Sequence, residues 1–143
     1  MKKLKIGIIG YGKMGKIRHK AIEKSGQAEV IVIFDPNPIA PVNHKIKVAS
    51  SAEKVLNQEI DAVFICTPNN FIKPLTVSAL QKGIHVFAEK PPGINLEEAL
   101  EMQSVEQRLN DKVLMFGFNH RHHGSVAKMK EIIEEESLGK ILW

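Results

Sequence analysis

The sequence has 143 residues, of which 43% are hydrophobic and 25% charged, with one cysteine and a net charge of +4. That length suits one ordinary domain with its own core, and the composition excludes a disordered tail or a fibrous repeat. A lone cysteine excludes a disulfide scaffold and a multi-cysteine zinc module, and 20 Lys+Arg against 16 Asp+Glu suits an anionic small molecule as readily as nucleic acid.

Met1 to Ile9 begins like a secretory leader, but Gly10, Gly12 and Lys13 break the apolar run. A leader core needs roughly 7–15 apolar residues, and a membrane span needs ~20. Neither is present, so a cytoplasmic protein without a membrane partner is expected.

In chain order, Leu4 to Ile9 reads as a buried strand ending in glycine. Lys13 to Ser25 reads as a helix with Ile17, Ala21 and Ile22 on its inner face and Gly26 past its end. Glu29 to Phe34 is a second buried strand, stopped by Asp35-Pro36. Pro36, Pro38 and Pro41 then leave no room for a regular helix. Lys45 to Val48 suggests a short strand, and Ser51 a cap for a brief helix through Leu56. Ala62 to Cys66, Ile84 to Ala88 and Val113 to Phe118 read as further strands. Between them lie helices Phe71 to Lys82, with Leu75, Ala79 and Leu80 inward, and Asn95 to about Leu109, opened by a capping-box pattern. Ser125 to Glu136 reads as the last helix, with Val126, Met129, Ile132 and Ile133 on one side. Alternating elements with apolar strands predict an α/β fold around a mostly parallel sheet.

Gly10-Tyr11-Gly12-Lys13-Met14-Gly15 matches G-x-G-x-x-G between a strand and a helix, and Asp35 follows at the end of the next strand. Gly10 permits the tight turn, Gly12 lets a pyrophosphate reach the backbone, and Gly15 lets helix and sheet approach. Free N–H groups at the helix start attract phosphate charge. Asp35 at a strand end can accept from ribose hydroxyls and would repel a 2′-phosphate, which favours NAD over NADP. A ligand-free glycine turn, or a flavin or S-adenosylmethionine site, shares the same glycine pattern.

Glu89-Lys90-Pro91-Pro92 follows the strand ending at Ala88, at the same sheet edge. A lysine there can place positive charge beside a developing alkoxide, although such a stretch is also an ordinary surface turn.

The motifs together resemble the Gfo/Idh/MocA family, named for glucose–fructose oxidoreductase and inositol dehydrogenase. They run in the family's order: Gly10–Gly15, Asp35, Thr67-Pro68-Asn69, Gly83-Ile84-His85-Val86 leading to Glu89-Lys90-Pro91, Asn119 with Arg121, and Ser137-Leu138-Gly139-Lys140-Ile141. The resemblance implies a Rossmann-type doubly wound sheet with helices on both faces, binding NAD(H). It also implies hydride transfer to or from a secondary alcohol of a sugar, cyclitol or sugar nucleotide. In such a site Thr67, Pro68 and Asn69 line the middle of the cofactor, and Glu89 orients the nicotinamide ribose. Lys90, the expected catalytic residue, lies between nicotinamide and substrate, with Asn119 and Arg121 near the nicotinamide end. The sequence departs from the family at Ile72, where a histidine is frequent, and at Pro36–Pro41, where most members have a helix.

The resemblance places the dinucleotide-binding domain at 1–120, and in 121–143 a helix and the start of a second domain. That second domain usually supplies the acid/base histidine, and the apolar Ile141-Leu142-Trp143 reads as the beginning of one of its strands. The expectation is the cofactor half of a two-domain enzyme. The alternative is a small NAD(H)-binding partner subunit or redox sensor. Substrate identity and homo-oligomerisation stay open.

Other clusters carry less. His120, His122 and His123 are adjacent on a predicted loop with no second ligand group, so no metal is expected. Cys66 lacks a local base and reads as a small core residue. His19 receives no role, and the Glu131–Glu136 acids read as a solvated face. No nucleic-acid-binding motif accompanies the basic residues, so no nucleic-acid partner is expected.

Overall fold

A computed structural model describes residues 2–40, 42–136 and 138–139. Pro41, Ser137 and Lys140–Trp143 lie outside the described residues, and with them part of the proline-rich stretch, most of the Ser137–Ile141 motif and the apolar terminus.

Six strands form one sheet: β1 (Leu4–Ile9), β2 (Ala28–Phe34), β3 (Lys47–Val48), β4 (Ala62–Ile65), β5 (His85–Ala88) and β6 (Leu114–Phe116). Their order is β3-β2-β1-β4-β5-β6, and every pairing is parallel. The order reverses between β1 and β4, so a crevice opens above their carboxyl ends. Five α-helices connect or follow the strands: α1 (Lys13–Ser25), α2 (Ala52–Leu56), α3 (Ile72–Gln81), α4 (Leu96–Leu109) and α5 (Gly124–Glu134). The expected α/β doubly wound fold is therefore present.

The strands are apolar on both faces and two cores lie against the sheet, although the face bearing Phe64, Phe87 and Met115 is only partly covered. Val32, Val63, Ile65, Ala79 and Leu80 belong to one core, and Ile6, Ile8, Ile22, Val30 and Ile33 to the other. Among the described residues, no helix fills the place between β2 and β3. Instead Ile39, Val42 and Ile46 of the connecting loop pack against the second core, beside Tyr11 and Ile22. The prolines forbid a helix there, and three aliphatic side chains do its covering.

Two caps anticipated from sequence are made. Ser51 Oγ accepts from Lys54 N at 3.2 Å, and Asn95 Oδ1 accepts from Glu98 N at 2.9 Å. The reciprocal bond is displaced: Glu98 Oε2 accepts from Ile94 N, not from Asn95 N.

Two amphipathic faces differ from expectation. Ile17 and Ala21 of α1 are exposed, and the buried stripe is Gly15, His19 and Ile22. Gly15 sets this phase, because it must face the sheet and residues three, four and seven positions later share its side. In α5 no residue is buried, and Met129 and Ile133 are 56% and 47% exposed. The expected strand Val113–Phe118 is also shorter, covering Leu114–Phe116.

Candidate cofactor site at the carboxyl edge of the sheet

The candidate residues come from five different strand ends. The glycine loop leaves β1, Asp35 follows β2, Thr67-Pro68-Asn69 follows β4, Glu89-Lys90 follows β5, and Asn119 and Arg121 lie just beyond β6. A parallel sheet puts all of these on one edge, although they are up to about a hundred positions apart.

Gly10 has φ +89°, and a Cβ there would come 2.5 Å from the Cys66 carbonyl oxygen. The loops after β1 and β4 thus touch through backbone alone at the point where the strand order reverses. A Cβ on Gly15 would collide with the Gly10 carbonyl oxygen. Gly12 is different, with nothing within 4 Å of such a Cβ. It is the N-cap of α1, and no side chain caps the helix there. The first turn holds no acidic residue, while Lys13 and Lys16 stand beside it. Open backbone, an uncapped helix start and nearby cations are what a pyrophosphate requires. Thr67 Oγ1 is buried next to this loop without a hydrogen-bond partner among the described residues, a polar atom a ligand would satisfy.

Asp35 lies against the same loop. Its Oδ2 accepts from Tyr11 N at 2.7 Å, and its Oδ1 accepts from Asn37 N at 2.9 Å. Tyr11 itself is buried, and its hydroxyl is hydrogen-bonded to His19 Nδ1. His19 Nε2 is 3.2 Å from Glu23 Oε1, at ion-pair distance but not aligned as a hydrogen bond. His19, given no role from sequence, therefore anchors the glycine loop to α1. Burial raises the Tyr11 hydroxyl above its usual pKa, and Glu23 adds to the shift. Of the remaining loop residues, Met14 is half-buried and Lys13 exposed.

At the other end, Lys90, Phe118, Asn119, His120 and Arg121 line a cavity of about 400 Å³ with Gly117. Lys90 and Arg121 are exposed. Glu89 is 7% exposed and is paired with Arg18, whose Nε lies 2.6 Å from Glu89 Oε1. Sequence reasoning missed Arg18. The usable signal was its place three residues after Gly15, on the face that must meet the sheet.

Pro68 and Asn69 are exposed, and Asn69 opens a 3-10 turn leading into α3. Cys66 is half-buried, and burial pushes its thiol up to about 12, with Glu89 adding to the shift and Arg18 opposing it. His120 and His123 stack with ring centroids 5.2 Å apart. Among the described residues, no group of three or more His, Cys, Asp or Glu could hold a metal ion. Nor is any helix among them long and apolar enough to cross a membrane.

A parallel 3-2-1-4-5-6 sheet with an uncapped glycine loop at its switch point defines a dinucleotide-binding domain. The chain belongs to the GFO_IDH_MocA oxidoreductase family with an NAD-binding Rossmann fold, whose profile matches residues 4–118. It is 29% identical over 143 residues to the myo-inositol 2-dehydrogenase of Thermotoga maritima, covering 96% of this chain and 42% of that protein. It is 33% identical over 141 residues to the glucose-6-phosphate 3-dehydrogenase of Bacillus subtilis, covering 96% of this chain and 40% of that one. A solved structure of scyllo-inositol dehydrogenase from Lactobacillus casei, with NAD(H) and scyllo-inositol bound, superposes with a TM-score of 0.90 at 30% identity. That match covers 98% of this chain and 43% of the other. The chain thus spans about two-fifths of the length of these relatives.

Proposed function

We propose that this chain is the NAD(H)-binding part of an oxidoreductase acting on a secondary alcohol of a sugar, cyclitol or sugar nucleotide. The observation that carries the reading is the convergence of five strand-end segments on one crevice, with the uncapped start of α1 at its centre. Held in that crevice, NAD would supply the hydride acceptor for the alcohol carbon and NADH the hydride donor for the reverse reaction.

In this reading Gly10, Tyr11, Gly12, Lys13, Met14 and Gly15 cradle the pyrophosphate. Asp35 holds the adenosine ribose and discriminates against a 2′-phosphate. Thr67, Pro68 and Asn69 line the middle of the cofactor. Glu89 accepts from the nicotinamide ribose, and Asn119 and Arg121 flank the nicotinamide end. Lys90 stabilises negative charge as it develops on the substrate oxygen. The proton acceptor for the alcohol is assigned to a second domain that begins at about residue 121. Such an enzyme works in the cytoplasm, and its sheet-bearing second domain mediates any homo-oligomer.

Calorimetric titration of this chain with NADH and NADPH tests the reading, and NADH binds more tightly. Equal affinities, or a preference for NADPH, overturn the role of Asp35. Sugar oxidation by this chain alone overturns the assignment of the proton acceptor to a second domain.

A further inference from the structure

Arg18 sits one turn after Gly15 on the sheet-facing side of α1, and its side chain is only 14% exposed. Its guanidinium fork is divided between two partners. Nε donates to Glu89 Oε1 at 2.6 Å, and Nη2 donates to Asn119 Oδ1 at 3.2 Å. The same group lies 4.9 Å from the centroid of the Phe87 ring, which stacks in turn on Phe64 at 4.7 Å. One planar cation therefore joins the phosphate-binding helix to the ends of β5 and β6. Gly117 leaves it room, since a Cβ there would come 2.9 Å from Glu89 Oε2 and 3.2 Å from Arg18 Nη2.

The division of the fork has two chemical consequences. Arginine commonly meets a carboxylate with two parallel bonds, occupying both oxygens. Here only Oε1 is bonded to Arg18, and Glu89 Oε2 meets no hydrogen-bond donor among the described residues. A guanidinium also has donors and no acceptor. It can therefore face only the oxygen of the Asn119 amide, which leaves the NH₂ group as a donor for a ligand in the cavity that Asn119 lines. A buried ion pair contributes little net stability over an apolar pair of similar shape, so stability alone is a poor reason for it.

We infer that Arg18 is a positioning residue for the nicotinamide half of the cofactor. It presents a free Glu89 oxygen as acceptor and a fixed Asn119 amide as donor, while touching no cofactor atom itself. The inference rests on the proposed reading of Glu89 and Asn119 as contacts of the nicotinamide end.

The test compares NADH with ADP, which carries the adenosine and pyrophosphate but neither the second ribose nor the nicotinamide. Both are titrated into the wild type, Arg18→Lys and Arg18→Gln, which leave Glu89 and Asn119 unaltered. Lysine keeps the charge but cannot hold both partners in one plane. Glutamine keeps a neutral N–H donor for Glu89 without the planar fork, which gives a second test if the lysine variant is unstable. Each variant is expected to lose roughly tenfold or more in NADH affinity while ADP affinity stays within about twofold. If both ligands weaken equally, Arg18 is only a structural clamp and the inference falls. Unchanged NADH binding overturns it too, as does a wild type that binds NADH no more tightly than ADP. A wild type that binds neither ligand overturns the cofactor reading itself, and the inference with it.

Discussion

The backbone N–H of Tyr11 donates to Asp35 Oδ2 at 2.7 Å, which makes the glycine loop and the acidic end of β2 one hydrogen-bonded unit. Asp35 Oδ1 is engaged as well, by the backbone and side-chain nitrogens of Asn37 at 2.9 and 3.1 Å. The carboxylate thus shapes the loop before any ligand arrives. Asp35→Ala is expected to narrow the gap between NADH and NADPH affinity in calorimetric titration. It also leaves donors unpaired, at a cost of roughly 1–3 kcal/mol by denaturant unfolding. Asp35→Asn keeps an acceptor, so it narrows the gap with a smaller loss of stability.

Gly12 and Gly15 separate binding from folding. Gly12→Ala meets no neighbouring atom, so its melting temperature should stay close to wild type while NADH affinity falls at least tenfold. Gly15→Ala drives a methyl group into the Gly10 carbonyl, so it should destabilise the fold by several kcal/mol. A Gly12→Ala protein that binds NADH normally would remove the pyrophosphate from that position.

Cys66 predicts an alkaline limit. Its folded pKa of about 12 lies above the ordinary 9.0, mainly through burial. The folded state therefore holds its proton more tightly than the unfolded chain. Stability from this group is intact below about pH 9 and is lost as pH rises toward 12. Tyr11, also raised by burial, acts in the same direction from about pH 10. Denaturation midpoints measured at pH 8 and pH 10.5 should fall, and Cys66→Ala should reduce the drop. A disulfide-exchange reagent at pH 8 should modify the native thiol far more slowly than the unfolded one.

Asn95→Ala removes the cap of α4, which lies beside Asn69 and Pro91 at the carboxyl edge of the sheet. The expected loss is about 1 kcal/mol, seen as a lower denaturation midpoint. Ser51→Ala at α2 should cost a similar amount.

Strands and caps were legible because their signals are local: β-branched runs for β1 and β2, and Ser51 and Asn95 at fixed offsets from helix starts. The glycine loop and Asp35 were legible because their spacing is imposed by one strand–helix–strand unit. The inner face of α1 was misread because hydrophobicity pointed to Ile17, whereas the packing of Gly15 against the Gly10 carbonyl decides the helix's rotation. Arg18 leaves no such signal because its partners Glu89 and Asn119 are 71 and 101 positions away, whereas His19 pairs locally with Tyr11, eight residues back in the glycine loop. Polar groups buried by such long-range pairing leave no periodic trace. Val126, Met129, Ile132 and Ile133 recur at helical spacing in α5, yet no residue of that helix is buried, so its periodicity carries no information about packing.

Gly15, the Gly10 carbonyl and the Cys66 carbonyl form a stack of main chain at the floor of the crevice. No side chain takes part in it, so substitution cannot widen, narrow or recharge that floor without breaking the turn. The glycine-loop end of the crevice is consequently a fixed gauge. Adaptation to a different nucleotide has to act at its margins, through Asp35 and the proline-bearing loop that follows β2, where side chains carry the chemistry and no helix constrains the backbone.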